Sequence, residues 1–88
     1  MNFLRIIWDD PDDANGNVQH IAEHDLGIED VEEVLANPTS EGVSASSGLP
    51  CVWGYTLEDV YIIVVYEQID EDTIRVTTAY EVPEPMAR

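Results

Sequence analysis

The sequence contains no lysine, and Arg5, Arg75 and Arg88 are its only fixed cations against nineteen Asp and Glu, a formal net charge of −16. Affinity for a phosphate backbone comes largely from Lys and Arg displacing condensed counterions, so this shortage argues against DNA or RNA as a partner. An anionic membrane surface is disfavoured by the same long-range field. Cysteine is almost absent as well. Cys51 stands alone, which excludes a disulfide within the chain and makes a reducing, cytoplasmic setting the expectation. No apolar run approaches the ~18 residues of a spanning helix, and Met1 to Asp10 lacks the basic start and long apolar stretch of a signal peptide.

What remains is ordinary globular material. Hydrophobic residues make up 44% and charged residues 25% of 88 positions, a balance that favours one folded domain over an acidic disordered tail. A domain of this size has a thin core, so partners can matter to its stability.

Hydrophobic spacing predicts an α+β fold with two short helices packed on an antiparallel sheet, in the order β-α-α-β-β-β. Phe3 to Trp8 reads as a first strand, ended by Asp9, Asp10, Pro11, Asp12 and Asp13. Val18, Ile21, Ala22 and Leu26 then share one helical face, with Asn15 or Asn17 able to cap its start and Gly27 to stop it. Ile28, Val31, Val34 and Leu35 repeat that spacing in a second helix, closed by Asn37 and Pro38. Thr39 to Pro50 reads as a loop with a possible extra edge strand around Val43. Three β-like runs follow, Cys51 to Thr56, Val60 to Gln68 and Thr73 to Val82, joined closely enough for hairpins. The middle run is apolar at every position from Val60 to Tyr66, which marks a central strand covered on both faces. Helices on one side leave the other open, so Tyr61, Ile63 and Val65 are expected either to form an interaction surface or to lie under loop 39–50.

Residues that carry chemistry are few. His20, Glu23 and His24 fit the H-x-x-E-H pattern of inverted zinc peptidases, but a catalytic zinc needs a third protein ligand and an enclosed cleft. No later His supplies one, and neither a metal nor a cofactor is expected. Nothing near Cys51 in the chain lowers its pKa, so it reads as a buried structural thiol. The cluster Asp9, Asp10, Asp12 and Asp13 lacks the spacing and glycine of an EF-hand loop.

Four segments taken together resemble the BrnT family of small RelE-like ribonuclease toxins: Trp8-Asp9, the helix ending near His24, Ile28 to Leu35, and Ile74 to Tyr80. The resemblance implies a RelE-like fold and, for an active member, cleavage of RNA and an antitoxin partner. It assigns His24 to the family's helix-end histidine and Arg75 to the arginine of the last strand, with Thr78-Ala79 near its Ser-Ala. The sequence departs from the pattern where Tyr80 and Glu81 replace a second arginine, and where Val18, Gln19 and their neighbours replace basic residues of the first helix. A catalytic set would be His24 as acid or base, Arg75 on the phosphate, and Tyr66 and Tyr80 stacking a base. The plainer reading pairs Arg75 with an acid such as Glu67 and packs the tyrosines. On the charge argument, the expectation is a non-catalytic interaction module that binds a basic protein or a second copy of itself, with the toxin ribonuclease as the alternative.

Overall fold

The structure, a computed structural model, describes residues 5–85. Phe3 and Leu4 of the expected first strand, and Arg88, lie outside the described residues. The elements in chain order are β1 (Arg5–Ile7), α1 (Asn17–Ala22), α2 (Ile28–Ala36), β2 (Ser40–Val43), β3 (Pro50–Tyr55), β4 (Tyr61–Gln68) and β5 (Thr73–Glu81). The strands form one sheet in the order β1-β5-β4-β3-β2, so the all-apolar strand is central, as its composition demands.

The sheet is mixed rather than antiparallel. Strands β2 to β5 form an antiparallel meander, while β1 pairs with β5 in parallel, Arg5 to Thr73 and Ile7 to Arg75. The three hairpin reversals from β2 to β5 set β2 opposite to β5, so β1, parallel to β5, also runs opposite to β2, and the chain makes one net reversal through α1 and α2. The expected edge strand near Val43 is present as β2, so much of the stretch after Thr39 is ladder and not loop.

Helix α2 forms where the apolar spacing places it, burying Val31, Val34 and Leu35. In its first turn the Asp30 carboxylate reaches back to accept the N–H of the N-cap residue Gly27 at 2.9 Å, and the negative charge there complements the helix dipole. Helix α1 is shorter than its apolar spacing suggests. It ends at Ala22, because Asp25 adopts φ 62° and Leu26 N–H returns to the carbonyl of Ile21 while Asp25 N–H bonds Ala22. These are the two bonds of a Schellman C-terminus, normally built on glycine. Gly27 instead is the N-cap residue of α2.

The main core lies between helices and sheet: Ile21, Leu26, Val31, Val34 and Leu35 against Val52, Ile62, Val64, Tyr66, Ile74, Val76 and Ala79. Ile74 and Val76 keep the period of two, but Ala79 does not, because a bulge interrupts the β4–β5 register. Val65 faces Thr78 and Tyr66 faces Val76, which leaves Thr77 unopposed. The extra residue turns Ala79 toward the helices and Tyr80 to the other side, where it joins Cys51, Ile63 and Val65.

That other side is not an open apolar patch. Tyr61, Ile63 and Val65 are 7%, 7% and 3% exposed. Leu49, Trp53, Tyr80 and Val82 pack around the second cluster, so the end of the 44–49 loop does part of the covering.

Candidate functional site

Asn17 caps no helix. Gly16 is the N-cap residue of α1, without a side-chain cap, and Asn17 turns inward and is 3% exposed. Its side-chain carbonyl accepts Asp9 N–H at 2.8 Å, and its amide donates to the carbonyls of Ile7 at 3.0 Å and Val76 at 2.9 Å. One Asp9 carboxylate oxygen accepts the Asn17 N–H at 2.8 Å and the Arg75 guanidinium at 2.5 Å. Glycine is required beside this joint, since a Cβ on Gly16 would stand 2.7 Å from that of Asp9.

Arg75 is therefore already engaged. Glu67 faces it in the ladder, but the ion pair is made with Asp9, from the loop after β1. Trp8, next to Asp9, packs on the main core and donates its indole N–H to Glu32 at 3.1 Å.

The four residues of the expected catalytic set fall in three places. Tyr66 is 5% exposed within the helix-side core, and burial, ahead of the nearby charges of Glu41 and Cys51, pushes its phenol pKa up. Tyr80 is on the opposite side of the sheet and meets His24, with ring centroids 5.7 Å apart. Arg75 and Tyr80 share β5 but stand five residues apart, about 15 Å along a strand. His24 and Tyr80 thus come together, and Arg75 and Tyr66 do not join them.

His24 also touches His20, ring centroids 5.6 Å apart and close to perpendicular. Among the described residues no group of three or more His, Cys, Asp or Glu is arranged to hold a metal ion. Cys51 is buried on β3, and burial raises its thiol pKa.

A cavity of about 130 Å³ opens beside His24, where the α1–α2 turn, the β3–β4 turn and the end of β5 converge. Asp25, Asp30, Glu58 and Glu81 line it, over Leu26, Val60 and Thr56. Thr56 is 4% exposed and sets the β3–β4 turn: its hydroxyl oxygen accepts the N–H groups of Glu58 at 3.2 Å and Val60 at 3.1 Å. The turn also holds Asp59 at φ 65°. The cavity walls present four carboxylates and no Lys or Arg. Asp30 is partly committed to the helix cap, whereas Asp25, Glu58 and Glu81 are exposed.

Such a site suits a cationic group better than an anionic one. Sequence reasoning missed it because its members lie in three segments far apart in the chain, and acids are so common here that none stands out. Comparison with protein-family models, curated proteins and solved structures gives no match.

Proposed function

We propose that this chain is a non-catalytic interaction module that recognises a basic protein through its carboxylate-rich surface. The observation that carries the reading is the cavity beside His24, where four carboxylates converge without a fixed cation among its lining residues. A lysine or arginine side chain entering there gains several attractive interactions at once. Each is weak in solvent, but together they steer association and select for charge. The test is calorimetric titration with an oligolysine peptide and, separately, with a short single-stranded RNA. The peptide should bind with an affinity that falls as salt rises and weakens in a Glu58→Gln, Glu81→Gln double variant, while RNA should give no signal. Failure of oligolysine to bind at low salt would end this reading.

The second reading, a BrnT-like toxin ribonuclease paired with an antitoxin, draws support from the contact between His24 and Tyr80. Against it stand the engagement of Arg75 by Asp9 and the burial of Tyr66 on the opposite side of the sheet. A metal-free ribonuclease needs cations at the scissile phosphate to offset the charge that develops there. RNA cleavage abolished by His24→Ala or Arg75→Ala would establish this second reading in place of the first.

A further inference from the structure

The side of the sheet away from the helices carries features that the acidic cavity does not use. Its cluster has a closed centre of Cys51, Ile63 and Val65, and a partly buried surround of Leu49, Trp53, Tyr80 and Val82, each of which keeps some surface in solvent. Every described helix residue of the buried core belongs to the other cluster, and of these four side chains Tyr80 is met from the α1–α2 turn by His24. Partly buried tryptophan and tyrosine held in place on a sheet are typical interface anchors, offering contact area for little loss of rotamer freedom.

Acids mark both ends of the strip. Glu67 is exposed and lies two residues beyond Val65 on the same side of β4, and the Asp70 to Asp72 turn follows it. At the other end Glu84 accepts a hydrogen bond from the Tyr55 hydroxyl at 3.0 Å, and Tyr55 pairs with Tyr61. The positive charge of Arg75 is offset by Asp9. From Tyr61 to Glu67 is six residues of strand, about 20 Å, which matches roughly 13 residues of helix.

We infer that this strip docks an amphipathic helix of a basic protein, with the apolar stripe on Trp53, Tyr80 and Val82 and cationic side chains toward Glu67 and Glu84. The inference rests on the reading of the chain as a module for basic partners and adds where and in what form the partner lies. A second copy of this chain is the poorer occupant, because each copy carries −16 and would bring like charges to the same rim.

The experiment uses two Leu/Lys peptides of identical composition, each about 16 residues long. One places Leu at i, i+3, i+4 and i+7; the other is shuffled so that no stripe forms. Calorimetry on the full chain should give at least tenfold tighter binding of the amphipathic peptide. That preference should vanish in Trp53→Gln and shrink in Val82→Ser and Glu67→Gln, with thermal unfolding used to verify that each variant is folded. If Trp53→Gln does not fold, the other two carry the test. Equal binding of both peptides, unchanged by the substitutions, overturns the inference and leaves the module reading standing. Binding of neither peptide overturns both. A dimer by sedimentation equilibrium that Val82→Ser disrupts overturns it in favour of a second copy.

Discussion

Replacing Asn17 with alanine separates two roles that one asparagine can play at the start of a helix. A capping side chain holds one or two N–H groups at a solvent-facing end, and its loss costs about 1 kcal/mol. Asn17 is 3% exposed and makes three hydrogen bonds, at 2.8, 3.0 and 2.9 Å, to Asp9 N–H and to the carbonyls of Ile7 and Val76. These tie the loop after β1, the end of β1 and the middle of β5 to one side chain. Each bond contributes roughly 1 kcal/mol, and backbone groups left behind in a closed site add a desolvation penalty, so Asn17→Ala should lose about 3–5 kcal/mol. For a domain of this size the whole stability is roughly 4–13 kcal/mol, and the expected fall in Tm is at least about 12 °C. Urea unfolding followed by circular dichroism measures the loss directly, with exposed Asn15→Ala as the comparison, expected to change stability by less than about 0.5 kcal/mol. A loss of only about 1 kcal/mol from Asn17→Ala, or one equal to that of Asn15→Ala, would refute the account of Asn17 as a joint.

Arg75→Gln should cost much less, about 1 kcal/mol at most in low salt, because the two side chains of the Arg75–Asp9 pair are 36% and 21% exposed and solvent screens them. The cost should shrink in about 0.5 M NaCl, and a loss that ignores salt would contradict this. Asp70 has its pKa held below the usual aspartate value, chiefly by the N–H of Asp72, then by the Thr73 hydroxyl, with a smaller contribution from Arg5. A depressed folded pKa means that the contribution is fully present above about pH 4 and is lost as pH falls through the folded value. The urea midpoint of Asp70→Asn should therefore vary less with pH in the acid range than that of the wild type, and identical acid limbs would count against it. Asp25→Gly should raise stability by about 0.5–1 kcal/mol, measured by thermal unfolding, since glycine accepts the left-handed conformation more readily, partly offset by its extra freedom when unfolded. Destabilisation would indicate that the Asp25 side chain contributes more than its backbone strain costs.

Helix α2 and strands β3 to β5 were legible because each signals itself locally. Ile28, Val31, Val34 and Leu35 can face one side only in a helix, Pro38 stops it, and the unbroken apolar run from Val60 to Tyr66 suits only a strand covered on both faces. What was not legible depends on residues far apart in the chain. Asn17 bonds Val76, 59 positions away, and to a local reading it differs in nothing from a helix cap. The bulge at Thr77 arises from the register of two strands together, and nothing within Thr73 to Glu81 marks it. It still decides that Tyr80 meets His24 and joins Cys51 while Ala79 enters the main core. The parallel direction of β1 was not legible, because the order β-α-α-β-β-β leaves out β2 and pairwise hairpin reasoning suggests an antiparallel sheet. Arg75 shows the limit of register arguments: Glu67 is its ladder neighbour, yet Asp9, 66 positions away, is its partner.

The placement of charge ties these points to function. Both described arginines sit on the β1–β5 pair, Arg5 where its charge lowers the pKa of Asp70 and Arg75 on Asp9. Glu81 lies six residues along β5 from Arg75, about 20 Å and more than twice the screening length of ~8 Å in physiological salt. The cavity beside His24 therefore receives little of the positive charge of the two described arginines, and a phosphate arriving there meets carboxylates. Bringing Arg75 to a bound phosphate would draw it off an Asp9 oxygen that also accepts the N–H of Asn17, loosening the joint between β1, α1 and β5. A cationic partner makes no such demand, because the groups it needs are already at the surface.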